Sequence, residues 1–208
     1  MRLLRRWPLY FTILISAASA SKVHAFLDSL ATYYHGKAVL DDTFLHRMDD
    51  RGMDRLSARM RKPHFVIGVI GSSVAAGHDN CNEDSYERQL ERTLAPIFAA
   101  YGKTIEVRNA GQGGGCGDSH ANQIWCMRHL VGDDVDAVHY TWTYFEQSDA
   151  IAWHELFVRW ALLLPNAPVP FVLDCGVGPP DSQRDALFDA YSKFGFNTLY
   201  LQRGLAKH

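Results

Sequence analysis

Several things are missing from this 208-residue chain. No Cys-x-x-Cys pair occurs, so the usual zinc-ligand spacing is absent and no metal is expected. The strand-like run ending at Ile70 is not followed by Gly-Lys-Ser/Thr, which excludes a phosphate loop there. Gly71 opens no Gly-x-Gly-x-x-Gly run, which removes the dinucleotide fingerprint, and no cofactor is expected. No Asn-x-Ser/Thr sequon is present, so N-glycosylation is not expected. A formal charge of −2 gives no electrostatic reason to bind nucleic acid. No apolar run approaches the roughly 20 residues that a membrane-spanning helix needs. No internal repeat and no low-complexity tract appears.

What is present fits one α/β domain with a sizeable core. The chain is 47% hydrophobic and 21% charged, ordinary for a globular protein. Residues 1–20 read as a signal peptide: Arg2, Arg5 and Arg6, then an apolar stretch from Pro8 to Ala17, then Ala18-Ser19-Ala20. The expectation is a protein of the secretory pathway, secreted or lumenal. A single-pass signal anchor is the alternative, and membrane contact is expected only if the segment stays uncleaved. The four cysteines, Cys81, Cys116, Cys126 and Cys175, then meet oxidising conditions, where an even count favours disulfides. At least one bridge is expected among the loop cysteines, with the pairing open.

Residues 21–62 carry helical spacing at Val23, Phe26, Leu27 and Leu30, and later at Leu45, Met48, Met53 and Leu56. They read as a helical extension, with a solvated stalk as the alternative for 35–52. From residue 63 to 208 strands and helices alternate. Strands are expected near 65–70, 104–108, 135–142, 169–175 and 197–201. Helices are expected at 85–101, from Asp118 or Ser119 to about Leu130, at 148–164 and at 182–194. That alternation predicts a three-layer α/β/α domain around a mainly parallel sheet of about five strands.

The chain is organised around Phe65 to Gly77. Phe65 to Ile70 is uncharged and β-branched, as a strand covered on both faces should be. Gly71-Ser72-Ser73 breaks it. A serine on such a turn has its hydroxyl in the crevice beyond the strand ends, with free backbone N–H groups beside it, which suits an acyl-transfer nucleophile. The plain alternative is a helix cap.

Gly71-Ser72-Ser73-Val74-Ala75-Ala76-Gly77 resembles the first block of the SGNH, or GDSL-like, hydrolases, with Ser72 in the Asp place and Ser73 in the nucleophile place. Asn109-Ala110-Gly111 resembles the block that aims a glycine N–H at the oxyanion. The third block is altered: where the family has Gly-x-Asn-Asp, this chain has Thr143, Phe145 and Glu146 in the Gly, Asn and Asp places. Phe145 has no side-chain donor, leaving Gln147 as a neighbour able to supply one. The fourth block, Asp-x-x-His, is missing before the chain stops at His208, so truncation is expected.

The resemblance implies a serine esterase or acyltransferase acting on O-acyl groups of glycans or lipids. Ser73 would be the nucleophile, and the Ser73 and Gly111 N–H groups would form the oxyanion hole. His78 and His120 are candidate substitute bases. Glu146 and Gln147 are candidate site-lining residues, and Asp174 is a residue able to orient a base. Tyr140, Trp142, Tyr144 and Phe145 are candidates to stack on a sugar. The alternative function is an inactive binding module that keeps the fold.

Overall fold

In a computed structural model, residues 25, 28, 44–46, 50–78, 84–112, 120–142, 150–174, 182–193 and 197–200 are described. The elements in chain order are β1 (Phe44–His46), α1 (Asp50–Met60), β2 (His64–Ile70), α2 (Tyr86–Ala99) and β3 (Thr104–Asn109). Then come α3 (His120–Trp125), α4 (Met127–Val131), β4 (Ala137–Tyr140), α5 (Ala150–Leu163), β5 (Val169–Asp174), α6 (Ser182–Ser192) and β6 (Asn197–Tyr200). Strand order is β1-β6-β5-β4-β2-β3. Every pairing from β6 to β3 is parallel, and β1 joins β6 antiparallel. The expected class therefore holds. Five parallel strands form the sheet, and a sixth closes one edge.

Within residues 21–62, read as a helical extension with a solvated stalk as the alternative for 35–52, α1 is helical as expected, while residues 44–46 form an edge strand instead. Phe44 pairs with Leu199 and His46 with Thr198. Three residues are too few for a period to show in sequence, and the strand exists only because β6 offers an open edge. A second difference lies after β3. The single helix expected to run to Leu130 breaks at Cys126, which caps the short α4.

Alternation along the strands sends side chains to two cores. Phe65, Ile105 and Ala137 are buried against Leu56 and Met60 of α1 and Leu94 and Phe98 of α2. Val66, Ile70, Val138, Tyr140 and Val172 are buried on the other face, against Ile124, Met127, Val131, Phe157 and Phe188 from α3 to α6. At Gly68 an added Cβ would sit 2.6 Å from Val131 Cβ, so the glycine lets α4 lie close on the sheet.

Asp136, just before β4, ties α1 to the amino-terminal edge of the sheet. Its buried carboxylate accepts from Lys62 Nζ at 2.6 Å, Asn166 Nδ2 at 3.0 Å and the Val66 N–H at 3.1 Å, with Arg59 Nη1 at 3.5 Å. Among the described residues no helix is long and apolar enough to cross a membrane. Residues 1–20, the expected signal segment, lie outside the described residues.

Candidate active site

The chain leaves β2 for β3 on one side and returns to β4 on the other. The connection after β2 leads to α2 on one face of the sheet, and that after β3 leads to α3 on the opposite face. A crevice at the carboxyl end of β2 follows from that divergence. Gly71, Ser72 and Ser73 stand there.

Ser72 is buried and works as a cap: its Oγ accepts the Val74 N–H at 3.3 Å and its carbonyl accepts the Ala76 N–H at 2.9 Å. Ser73 is the first residue of the helical turn that follows. Its carbonyl accepts the His78 N–H at 2.9 Å, and Gly77, at φ 81°, closes the turn. Ser73 itself is half-buried. The capping reading therefore fits Ser72, which leaves the hydroxyl of Ser73 without a structural bond among the described residues.

The turn is strapped from three sides. A Cβ on Gly71 would lie 2.0 Å from Thr141 Oγ1, so only glycine lets the chain turn beside β4. The Gly71 carbonyl accepts from the Gln112 N–H at 3.0 Å and from Gln123 Nε2 at 2.7 Å. Gln123 is wholly buried, and its Oε1 accepts from Trp142 Nε1 at 2.9 Å. Gln123 was not legible as a site residue, because one glutamine on a short helix gives no signal of its burial.

Asn109 links the turn to the end of β3. Its Nδ2 donates to the Ala75 carbonyl at 2.7 Å and to Glu87 Oε2 at 3.3 Å. Its Oδ1 accepts the Gly111 N–H at 2.8 Å. Gly111 does lie against the Ser73 turn: a Cβ on it would meet Ala76 N at 2.5 Å and the Ala75 carbonyl carbon at 2.7 Å. Close approach thus accounts for that glycine, while its N–H is engaged by Asn109.

Beneath the crevice, Asn109 and His139 flank Val69 in register, on the face that α2 covers. His139 Nδ1 is 2.9 Å from the Tyr86 hydroxyl, and burial pulls the pKa of His139 down to about 4. Glu87 is fully buried in the first turn of α2. Burial raises its pKa to about 7, against the weaker opposing pull of its own backbone N–H and of Ser85 and Tyr86.

The remaining expected residues separate. His78 ends the Ser73 turn with an exposed side chain. His120 opens α3, and its side chain is outside the description. Thr143, Tyr144, Phe145, Glu146 and Gln147 lie outside the described residues, as do Cys81, Cys116 and Cys175 with any bridge among them. Cys126 carries an exposed free thiol. Asp174 ends β5 level with Tyr200. Tyr140 and Trp142 do not present faces for a sugar. Tyr140 is buried against His154 and Phe157, and Trp142 is only 3% exposed, because both belong to the core at the end of β4.

No family model matches this chain, and no curated protein matches it in sequence. Solved structures do match. A two-domain esterase active on acetylated mannans, co-crystallised with mannopentaose, superposes with a TM-score of 0.63 at 13% identity, over 79% of this chain and 46% of that one. A second structure described as a two-domain esterase active on acetylated mannans matches with the same score and identity, over 44% of its length. This chain thus spans less than half the length of either. With those esterases it shares the α/β fold.

Proposed function

We propose that this chain is a serine ester hydrolase or acyltransferase for O-acyl groups, with Ser73 as nucleophile. The observation that carries the reading is the Ser73 turn. A half-buried serine hydroxyl stands at the carboxyl end of β2, at the point where the connections diverge, on a backbone strapped by Gln123, Thr141 and Asn109. Attack of Ser73 Oγ on an ester carbonyl would form an acyl-serine and release the alcohol, and water or a second alcohol would then take the acyl group. The Ser73 N–H, at the start of its turn, is a natural donor to the oxyanion. The Gly111 N–H joins it only by leaving Asn109 Oδ1. The base would be a histidine: His78, His120 or one beyond the present chain. The fold shared with esterases active on acetylated mannans supports acylated glycans as the substrate class. The amino-terminal basic and apolar segment supports placement in the secretory pathway.

A second reading is favoured by the engaged Gly111 N–H: a binding module that keeps the crevice without turnover. One experiment separates the two. The chain is treated with a fluorophosphonate probe and the labelled peptide is located by mass spectrometry. Hydrolysis of p-nitrophenyl acetate and acetate release from acetylated mannan are followed in parallel. Labelling and hydrolysis that Ser73→Ala abolishes support the enzyme. Binding of acetylated mannan by a chain that neither labels nor hydrolyses supports the module. Labelling that survives Ser73→Ala overturns the nucleophile assignment.

A further inference from the structure

Glu87 is a buried carboxyl whose place the proposed acyl chemistry does not explain. It lies in the first turn of α2 and, among the described residues, reaches the Ser73 turn only through Asn109. Its Oε2 accepts from Asn109 Nδ2, and its Oε1 is buried with no hydrogen bond among the described residues. Keeping a carboxyl there is costly unless its charge or its hydrogen bond is used.

The hydrogen-bond chain shows where the effect goes. Asn109 has one amide group and spends both ends of it on the site. Nδ2 holds the Ala75 carbonyl inside the Ser73 turn, and Oδ1 holds the Gly111 N–H at the end of β3. Those two backbone segments touch directly, since no Cβ fits on Gly111 beside Ala75 and Ala76. An amide can flip, and a flipped Asn109 would face the Ala75 carbonyl with an oxygen and the Gly111 N–H with a donor. The Glu87 carboxyl, an acceptor at Nδ2, disfavours that flip.

We propose that Glu87 is a positioning residue of this site: through the Asn109 side chain it fixes the Ser73 turn against the Gly111 segment and sets how firmly the Gly111 N–H is held. A carboxylate accepts more strongly than a neutral carboxyl, so the clamp tightens when Glu87 ionises. With its pKa raised by burial to about 7, that change falls near neutral pH. The titratable and polar groups around it, among the described residues, are Ser85 and Tyr86 on its own helix, His139 behind Tyr86, and Asn109 from β3. Glu91, one turn further along α2, accepts the Val107 N–H at 2.6 Å. His139, held neutral by burial, titrates well below the pH range in question.

The positioning role itself does not depend on the esterase reading. Only its effect on turnover rests on that reading, so the test has two arms. In the first, the backbone amide of Gly111 is followed by ¹H–¹⁵N NMR from pH 5.5 to 8.5 in the full chain, in Glu87→Gln and in Asn109→Ala. The expected result is an inflection near pH 7 in the parent that is lost in both variants. An unmoved Gly111 amide in the parent overturns the proposal, and so does an inflection that persists in Glu87→Gln. An inflection that persists in Asn109→Ala overturns the route through Asn109. If either variant does not fold, the parent titration together with Glu87→Asp, which keeps a carboxyl but shortens its reach, decides. In Glu87→Asp the inflection should shrink or vanish. In the second arm, kcat/KM for p-nitrophenyl acetate is followed over the same pH range: the limb of the histidine base should appear in both proteins, and the ratio of parent to Glu87→Gln should change about threefold to tenfold across pH 7. A ratio that stays constant with pH counts against the role in turnover. A Gly111 inflection without hydrolysis by the parent leaves the positioning role standing and rejects the esterase reading alone.

Discussion

The side-chain amide of Gln123 donates to the Gly71 carbonyl at 2.7 Å, and its oxygen accepts from the Trp142 indole at 2.9 Å. One buried residue on α3 thus joins the ends of β2 and β4, the two strands that border the candidate crevice. It does so at the peptide immediately before the two serines. The backbone of the turn is fixed from below, by a group that no substrate would touch.

Replacing Gln123 by leucine should therefore affect both stability and the site. The Trp142 N–H would be buried with no acceptor, at a cost of about 1–3 kcal/mol. For a chain of this length each kcal/mol lowers Tm by roughly 2–4 °C. A fall of several degrees is expected by calorimetry, together with slower labelling of Ser73. A Gln123→Leu protein that melts within a degree of the parent would show that the link is not energetically important.

Asp136 should behave differently, because it lies at the opposite edge of the sheet. Its carboxylate satisfies the Val66 N–H and offsets Lys62 and Arg59 at the end of α1. Asp136→Ala leaves that N–H short of its acceptor and removes the carboxylate facing Lys62 and Arg59, while Asn166 Nδ2 keeps the Asp134 and Val135 carbonyls. Losing one member of a buried charged network costs about 3–5 kcal/mol, and the exposure of Lys62 places this case towards the lower end. Thermal melting should fall by about 6–12 °C. Fluorophosphonate labelling of Ser73 well below the transition should match the parent. A loss of labelling at low temperature with an unchanged Tm would reverse the assignment of this residue to stability.

The sheet was legible in the sequence to within a few residues at each strand, because covered parallel strands read as short apolar runs between turn signals. Phe65–Ile70 and Val169–Asp174 carry that signal plainly. β1 was not legible, since three residues carry no period and its partner lies about 150 residues away. The position of Ser73 followed from strand end plus small residues, and its turn is indeed at the carboxyl end of β2. The engagement of the Gly111 N–H by Asn109 was hidden. A glycine after a strand looks the same whether its N–H serves a ligand or a neighbouring amide. Glu87 and His139 were hidden for a related reason. Glu87 lies in a polar helix start that reads as solvated, and only the folded chain shows it buried and the His139 ring set against Tyr86. Tyr140 and Trp142 drew the eye as aromatic residues near the site, but the 2-residue period puts both on the α3–α6 face.

Glu87 and His139 give the last prediction, and it depends on the direction of each titration. Glu87 has a folded pKa near 7, above the 4.5 of an unperturbed carboxyl, so the folded chain holds a proton there that the unfolded chain has lost. Its contribution to stability falls as pH rises from about 4.5 to 7. His139 has a folded pKa near 4, below the ordinary 6.5, so the unfolded chain holds a proton there that the folded chain refuses. Its contribution falls as pH drops from about 6.5 to 4. Between roughly pH 4.5 and 6.5 both hold at once: folding in effect moves one proton from the histidine to the carboxyl, and these two groups cancel in the pH dependence. Removing one should expose the other. Glu87→Gln should gain stability with rising pH across that window, and His139→Gln should lose it, while the parent slope lies between the two. Urea unfolding at half-unit steps of pH measures all three. Parallel slopes in the two variants would show that these buried groups do not titrate as their surroundings require.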